Sequence, residues 1–255
     1  MEIKKISKKN KNTYEVILKD LTKLNLFDDT IIHFNLLSNK KITEVELKEI
    51  SEYNASLAAY YKAINLINFK LRTKKEISDK LKKLNYNNDI ISKTINRLES
   101  EGYINDNLYL KSYITDQINL SLKGPNKIIM ELTKLGFTKE SIISYLGNID
   151  NEIWLDKISK IIDKKMKSNH NLSNKMFLEK IKKDLFNMGY YKEHIDIVLN
   201  DLTLDSDMSI LKREYEKEYK KLSHKYEGDI LSNKLKYNLY RKGFSKDLIE
   251  LLIND

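Results

Sequence analysis

Hydrophobic residues recur in four copies along this chain, at the same distances from one aromatic residue in each copy. Ile or Leu stands nine and five positions before each aromatic residue, and again five and nine positions after it. In the first copy these positions are Ile77, Leu81, Ile91 and Ile95. The aromatic residues, which are 51, 53 and 54 residues apart, are Tyr86, Phe137, Tyr190 and Phe244. A pattern that returns at such a period predicts a protein built from structural repeats.

The spacing inside each copy is that of helices. Positions nine, five and one before the aromatic residue differ by four, which places them on one face of an α-helix. The position directly before each aromatic residue favours a left-handed helix end, and its occupants are Asn85, Gly136, Gly189 and Gly243. A second helix carries the two positions after the aromatic residue. A third amphipathic segment precedes both, so each repeat is predicted to contain three helices.

Helix starts are also marked. Thr73 to Glu76 has the pattern of a capping box, in which the side chain of each of the two residues accepts a hydrogen bond from the backbone amide of the other. Pro125 follows Gly124 and suits the first turn of a helix, where no amide hydrogen bond is lost.

The first fifty or so residues follow a different pattern. Apolar residues from Ile3 to Ile6 and from Tyr14 to Leu18 alternate with polar ones, which predicts a β-hairpin. Two short helices are expected next, one near Asp29 to Leu37 and one starting at Thr43, which begins another capping-box pattern.

The predicted fold is therefore mainly α, with tandem three-helix repeats in an elongated curved array after a small N-terminal hairpin and helix module. We place the module at 1–54 and the four repeats at 55–106, 107–151, 152–204 and 205–255. A monomer is expected, because stacking of the repeats already covers their apolar faces.

Composition narrows the function. The chain has no cysteine, which excludes disulfides and thiolate chemistry. No apolar run reaches the roughly 18 residues of a membrane span, so a cytoplasmic protein without membrane contact is expected. The four histidines are scattered, and the sequence has no phosphate-binding loop or nucleophile elbow. We expect no catalytic residue, no metal site, no cofactor and no small-molecule substrate.

Net charge is +9, and the basic residues are unevenly distributed. Residues 72–83 hold six basic side chains against two acidic ones, and residues 157–183 hold nine lysines against two acids. Such faces attract phosphates or an acidic protein surface, although lysines on helices commonly face solvent alone. Only four arginines are present, which argues against reading of DNA sequence.

Three segments resemble the RecX regulatory proteins of bacteria. They are Arg72 to Leu81, Arg97 to Asp106 and Lys123 to Phe137. The resemblance is dense over 57–147 and rests mainly on the repeat pattern from there to the C-terminus. Asn85 in place of Gly, Asn105 in place of an acid, and Tyr109-Leu110 in place of Phe-Ala depart from the family pattern.

The resemblance implies a function without catalysis. RecX-like proteins act on RecA, the recombinase that coats single-stranded DNA, in homologous recombination, DNA repair and the SOS response. By resemblance this chain binds the RecA filament, inhibits its ATP hydrolysis and strand exchange, and favours disassembly. Charge clustering near the family-like segments gives the candidate partner-binding residues, which are Arg72, Lys74, Lys75, Lys82, Lys83, Lys123 and Lys127.

Two other functions fit the same pattern. A helical-repeat protein that binds nucleic acid without RecA would bind DNA tightly, with a steep dependence on salt. The RecX-like function is compatible with weak DNA binding. A passive interaction scaffold would show neither activity.

Overall fold

The computed structural model describes Met1 to Asn254, except for the side chain of Asn254. Over these residues the chain forms a three-stranded antiparallel sheet followed by α-helices. The strands are β1 (Ile3–Lys8), β2 (Thr13–Leu18) and β3 (Lys23–Phe27). The helices of the N-terminal part are α1 (Asp28–His33), α2 (Glu44–Ile67), α3 (Lys74–Lys83) and α4 (Asn88–Ser100). Those that follow are α5 (Asp106–Leu120), α6 (Pro125–Lys134), α7 (Lys139–Leu146), α8 (Asn151–Lys167), α9 (Asn174–Asn187), α10 (Lys192–Asn200), α11 (Met208–Leu222), α12 (Gly228–Arg241) and α13 (Lys246–Asn254).

The helices from α2 onward fall into four groups of three, as the repeat pattern predicts. Each group contains one of the four aromatic residues, placed between its second and third helices. The residue before the aromatic is left-handed in every group, with φ of 63° at Asn85 and of 101°, 91° and 87° at Gly136, Gly189 and Gly243. Mostly helical structure with a small N-terminal sheet confirms the predicted fold class.

The hydrophobic columns of the repeat form the cores. The positions nine and five residues before the aromatic are at most 3% exposed in all four groups. The position five residues after it is equally buried, from Ile91 at 3% to Ile142 at 0%. The burial of these residues agrees with their helical spacing, which places them on one face of each helix.

The predicted hairpin is confirmed, and it has a third strand that the sequence pattern did not reveal. β2 pairs with β1 through Ile3 opposite Leu18 and with β3 through Thr13 opposite Phe27. The buried side chains of this sheet pack with those of the segment after it, including Leu36 and Ile50.

The two short helices predicted after the hairpin are wrong in their lengths. The first ends at His33, since Asn35 adopts a left-handed φ of 45°. The second is α2, which has 24 residues and runs through residues 54 and 55 without a break. Neither Gly nor Pro interrupts the segment, so nothing ends the helix there. The division of the chain into a module and four repeats stays a prediction.

Two compact units divide the chain, Met1–Lys111 and Ser112–Asp255, and the division falls within α5. In the first unit, the Asn54 side chain accepts hydrogen bonds from the Phe27 amide at 2.9 Å and the Thr30 hydroxyl at 3.0 Å. These bonds fix α2 to the sheet. Among the described helices, none has the length and apolar character that crossing a membrane requires.

Candidate partner-binding surface

The helix α3 carries most of the predicted binding residues, and its first turn is tightly fixed. The hydroxyl of Thr73 accepts from the amide of Glu76, and the carboxylate of Glu76 accepts from the amide of Thr73, each at 3.1 Å. This confirms the capping box. In addition, the amide of Lys74 donates to Asp106 at the start of α5, at 3.0 Å. Both contacts satisfy amides at the start of the helix, where carboxylates also interact favourably with the helix dipole.

Three of the predicted residues, two on α3 and one just before it, are paired with acids. Arg72 Nη1 lies 2.9 Å from the Glu76 carboxylate, and Lys74 Nζ lies 2.6 Å from Glu99 on α4. Lys75 Nζ lies 2.6 Å from Asp79. These hydrogen bonds hold the side chains to their own unit and reduce the positive charge that each offers to a partner.

The pKa of the Asp79 carboxyl group is lowered by the lysines around it. A hydrogen bond from Lys75 is the main cause that lowers its pKa, and the charges of Lys82 and Lys83 lower the pKa further. Three lysines of α3 are therefore close enough together to stabilise the charge of the same carboxylate.

Three lysines of α3 remain without an ion pair among the described residues. They are Lys80, Lys82 and Lys83, all exposed, and we call them the α3 triplet. Because they occupy the last turn, the helix dipole favours their positive charge. Lys80 and Lys83 line a cleft of about 340 Å³ together with Arg72 and Glu76. Lys80 is not among the predicted site residues, although it lies in the charge cluster that revealed them.

The linker before α3 adds exposed apolar groups. Phe69 is 88% exposed and Leu71 is 58% exposed, on either side of Lys70. Exposed aromatic side chains beside cations are typical of the anchors of protein interfaces. In the sequence, Phe69 and Leu71 can be recognised as apolar residues that do not follow the helical spacing of their neighbours.

Lys123 and Lys127 lie in the second unit. Lys123 Nζ lies 2.7 Å from Glu131, which also accepts a 2.7 Å hydrogen bond from the hydroxyl of Tyr113. Burial raises the pKa of Glu131, but these two hydrogen bonds outweigh it and lower the pKa overall. Lys127 makes no ion pair in the described part of the chain, and its backbone and Cβ pack closely against Gly189.

The second lysine-rich segment of the sequence, 157–183, is spread over α8 and α9. Several of its lysines pair with acids, such as Lys165 with Asp184 and Lys182 with Asp196. Other lysines of this segment, such as Lys164 and Lys167, are exposed and make no ion pair among the described residues, as in the α3 triplet.

Two of the histidines pack against or among other side chains. His33 stacks on Tyr53 with ring centroids 4.4 Å apart. His194 is buried, and burial lowers its pKa. Within Met1–Asn254, no three His, Cys, Asp or Glu side chains come together as metal ligands would.

Comparison with known proteins gives one consistent family. Residues 59–98, which include α3, match the model of the first three-helix domain of RecX. The chain is 31% identical to regulatory protein RecX of Listeria welshimeri, over 98% of this chain and 94% of that protein. It is 32% identical to regulatory protein RecX of Streptococcus uberis, over 100% and 99% of the two chains.

Solved structures agree with the sequence relatives. The crystal structure of a regulatory protein RecX superimposes with a TM-score of 0.66 over 78% of this chain and 98% of the other, at 22% identity, which shows a shared fold. RecX from Lactobacillus salivarius gives a TM-score of 0.53 at 30% identity, over 58% and 96% of the two chains. The family is one of regulatory proteins and not of enzymes. This chain, with the α3 triplet inside its matched domain, belongs to the RecX family of regulatory proteins.

Proposed function

We propose that this RecX protein binds the filament that RecA forms on single-stranded DNA. Binding inhibits ATP hydrolysis and strand exchange and favours disassembly of the filament, which gives the protein a role in recombination, DNA repair and the SOS response in the cytoplasm. The observation that carries the proposal is the exposed α3 triplet inside the matched RecX domain. A polyanionic filament attracts such a surface, and attraction of this kind accelerates encounter.

The predicted site residues then have different roles. Lys82 and Lys83, with Lys80, contact the filament directly, because no acid of the described chain competes for them. Arg72, Lys74 and Lys75 fix the surface through their ion pairs. Lys123 and Lys127 provide basic groups from the second unit.

The exposed side chains of the linker extend this surface. Phe69 offers an apolar anchor next to Lys70, so that contact with the filament does not depend on charge alone. A surface that combines both kinds of group retains part of its affinity when salt is added, because the apolar part is not screened.

Charge reversal tests the role of the triplet. We expect Lys82→Glu with Lys83→Glu to raise the concentration for half-inhibition of RecA's DNA-dependent ATP hydrolysis by about tenfold, as two partly screened contacts imply. The matched control is Lys48→Glu with Lys62→Glu, since both lysines are exposed on α2 and make no ion pair among the described residues. This control should stay within about twofold of the wild type on the same scale. Equal inhibition by both variants would refute the assignment.

One observation favours a second function, nucleic-acid binding without RecA. On α12, Tyr237 and Tyr240 are 61% and 54% exposed. The Arg241 guanidinium lies 5.7 Å from the centre of the Tyr237 ring, and Lys246 Nζ lies 5.8 Å from that of Tyr240. Exposed rings beside cations suit stacking with the bases of a single strand. Under this alternative the protein alone binds DNA tightly and loses that affinity steeply with salt.

A further inference from the structure

The second unit contains a groove that the repeat pattern and the proposed function leave unused. It lies between the C-terminal end of α5 and one face of α8, and its volume is about 710 Å³. Its apolar walls include Ile118, Leu122, Ile153 and Met188. Leu122 and Ile153 are 58% and 40% exposed, so the walls are open to a partner.

One lysine that lines the groove also makes hydrogen bonds to the backbone at the end of α5. Lys157 Nζ donates to the carbonyl oxygens of Ile118 and of Ser121, the latter at 2.8 Å. Burial is the main cause that lowers the pKa of Lys157, and the charge of Lys160 adds to it. Because Lys157 satisfies carbonyls at the end of α5, it fixes one wall of the groove against α8. A groove that is already formed costs a ligand little ordering energy.

The rim of the groove is basic. Lys157, Lys160, Lys164 and Lys165 line it, and Asp156 is the acidic residue among the lining side chains. Lys160 pairs with Asp156 at 2.6 Å and Lys165 pairs with Asp184. Lys164 is exposed and makes no ion pair within the described chain. A carboxylate of a partner would complement Lys164 on this rim.

We infer that the groove binds a segment of another protein in which apolar side chains are flanked by carboxylates. The aliphatic and thioether walls receive the apolar side chains, and Lys164 pairs with a carboxylate. Burial of one such side chain and formation of one partly enclosed ion pair both favour binding.

Other occupants fit the groove less well. Its lining contains no aromatic ring on which a nucleobase stacks. A second copy of this chain carries a net charge of +9 and is repelled by the lysine rim. The groove shares no residue with the α3 triplet, so this inference and the proposed function stand or fall separately.

A labelled peptide tests the groove directly on the full chain. The probe is a fluorescein-labelled peptide with a central Leu-Phe pair flanked on each side by Asp and Glu, and binding is followed by fluorescence polarisation. We expect about tenfold weaker binding when Asn and Gln replace the acids, and again when Ser replaces the Leu-Phe pair. Equal binding by either altered peptide overturns the inference, as does a probe that does not bind.

Matched variants locate the site. Lys164→Glu and Leu122→Ser should each weaken binding about fivefold, because each removes one of the two kinds of contact. Lys167→Glu is the control, since Lys167 lies on the same helix, is exposed and has no ion pair among the described residues. Equal losses at Lys164 and Lys167 would indicate general electrostatic attraction and overturn the site. Displacement of the probe from the groove by an oligothymidylate, weakened by Lys164→Glu but not by Lys167→Glu, would instead assign it to nucleic acid.

Discussion

Gly124 and Gly189 lie against each other so closely that a Cβ on Gly124 would stand 2.6 Å from the carbonyl oxygen of Gly189. The amide of Gly124 donates to the carbonyl of Met188 at 2.8 Å, and that of Asn126 donates to Gly189 at 2.9 Å. The start of α6 is thereby joined to the turn that ends α9. The glycine of this turn has two tasks, a left-handed backbone and close contact with another helix.

A second joint of the same design lies later in this unit. The Ser173 hydroxyl at the start of α9 donates to the carbonyl of Lys242 at 2.7 Å. A Cβ on Gly243 would stand 2.6 Å from that hydroxyl oxygen. In both cases the second helix of one group begins against the glycine turn of the next group, which explains the glycine at these two turns.

Substitution at Gly189 tests the joint. We expect Gly189→Ala to lower the free energy of unfolding by about 2–4 kcal/mol, from the left-handed backbone and the clash with Lys127 together. The φ of Gly189 is 91°, and an added Cβ would lie 2.5 Å from the Lys127 amide nitrogen. Urea unfolding followed by the helical circular dichroism signal measures the change.

The control for this prediction is Gly228→Ala. Gly228 belongs to the same unit and has a positive φ of 55°, but an added Cβ meets no atom within 4 Å. Only the backbone cost of about 1–2 kcal/mol is expected there. If the two variants lose equal stability, the close contact at Gly189 contributes nothing.

Lys242 makes a partly buried ion cluster that predicts a pH dependence. Its Nζ lies 2.9 Å from Glu214 and 2.7 Å from Glu218, and both glutamates are at most 9% exposed. The hydrogen bond from Lys242 is the main cause that lowers the pKa of Glu218. Burial raises the pKa of Glu214, but the hydrogen bonds from Lys217 and Lys242 outweigh it and lower the pKa overall. Folding thus lowers both pKa values, so their contribution to stability is complete above pH 4.5, the ordinary value. It is lost as the pH falls through the folded values.

Removal of the lysine should alter this dependence. We expect Lys242→Met to lose about 2 kcal/mol of unfolding free energy at pH 7, since it leaves Glu218 without its cation and Glu214 with Lys217 alone. The loss should shrink at pH 4, because without Lys242 the burial of Glu214 and Glu218 raises their pKa values and the variant relieves the unpaired charge by protonation. Lys160→Met, at an exposed pair with Asp156, should cost below about 0.5 kcal/mol and serves as the control. A Lys242→Met loss that is the same at both pH values would contradict the role of the cluster.

The tyrosines of α12 separate DNA binding from RecA inhibition. We expect Tyr237→Leu with Tyr240→Leu to weaken binding of an oligothymidylate by the protein alone by about tenfold, because two stacking platforms are lost. Inhibition of RecA should change by less than about twofold, since the α3 triplet is intact. Tyr103→Leu, at a ring that is 49% exposed, is the control. Parallel loss of both activities would favour the nucleic-acid alternative.

The sequence predicts the repeats well because their determinants are local. Capping boxes at Thr43 and Thr73, Pro125 at a helix start and the left-handed Asn85 all have their partners within a few residues. Helical spacing then identifies the buried columns. These features need no knowledge of the tertiary structure.

Contacts between distant residues explain what the sequence did not predict. β3 holds only the short alternation of Leu24 and Leu26, and its pairing depends on β2. Asn54 in the middle of α2 accepts hydrogen bonds from Phe27 and Thr30, and no local sequence pattern reveals these contacts.

The candidate site shows the same division. Clustering of lysines on α3 was evident from residues 72–83, but the pairing of Lys74 with Glu99 depends on α4. Which lysines remain available is therefore a property of the fold. The exposure of Phe69 is another, because an apolar residue in a linker is as readily buried as exposed.

RecA's DNA-dependent ATP hydrolysis, measured while this protein is titrated in, tests the proposed function most directly when DNA binding by the protein alone is measured beside it. We predict half-inhibition at a concentration at least about tenfold below the one that half-saturates the DNA, because the protein acts on the RecA filament. Inhibition that appears only as the protein saturates the DNA, or no inhibition at all, would contradict the proposal.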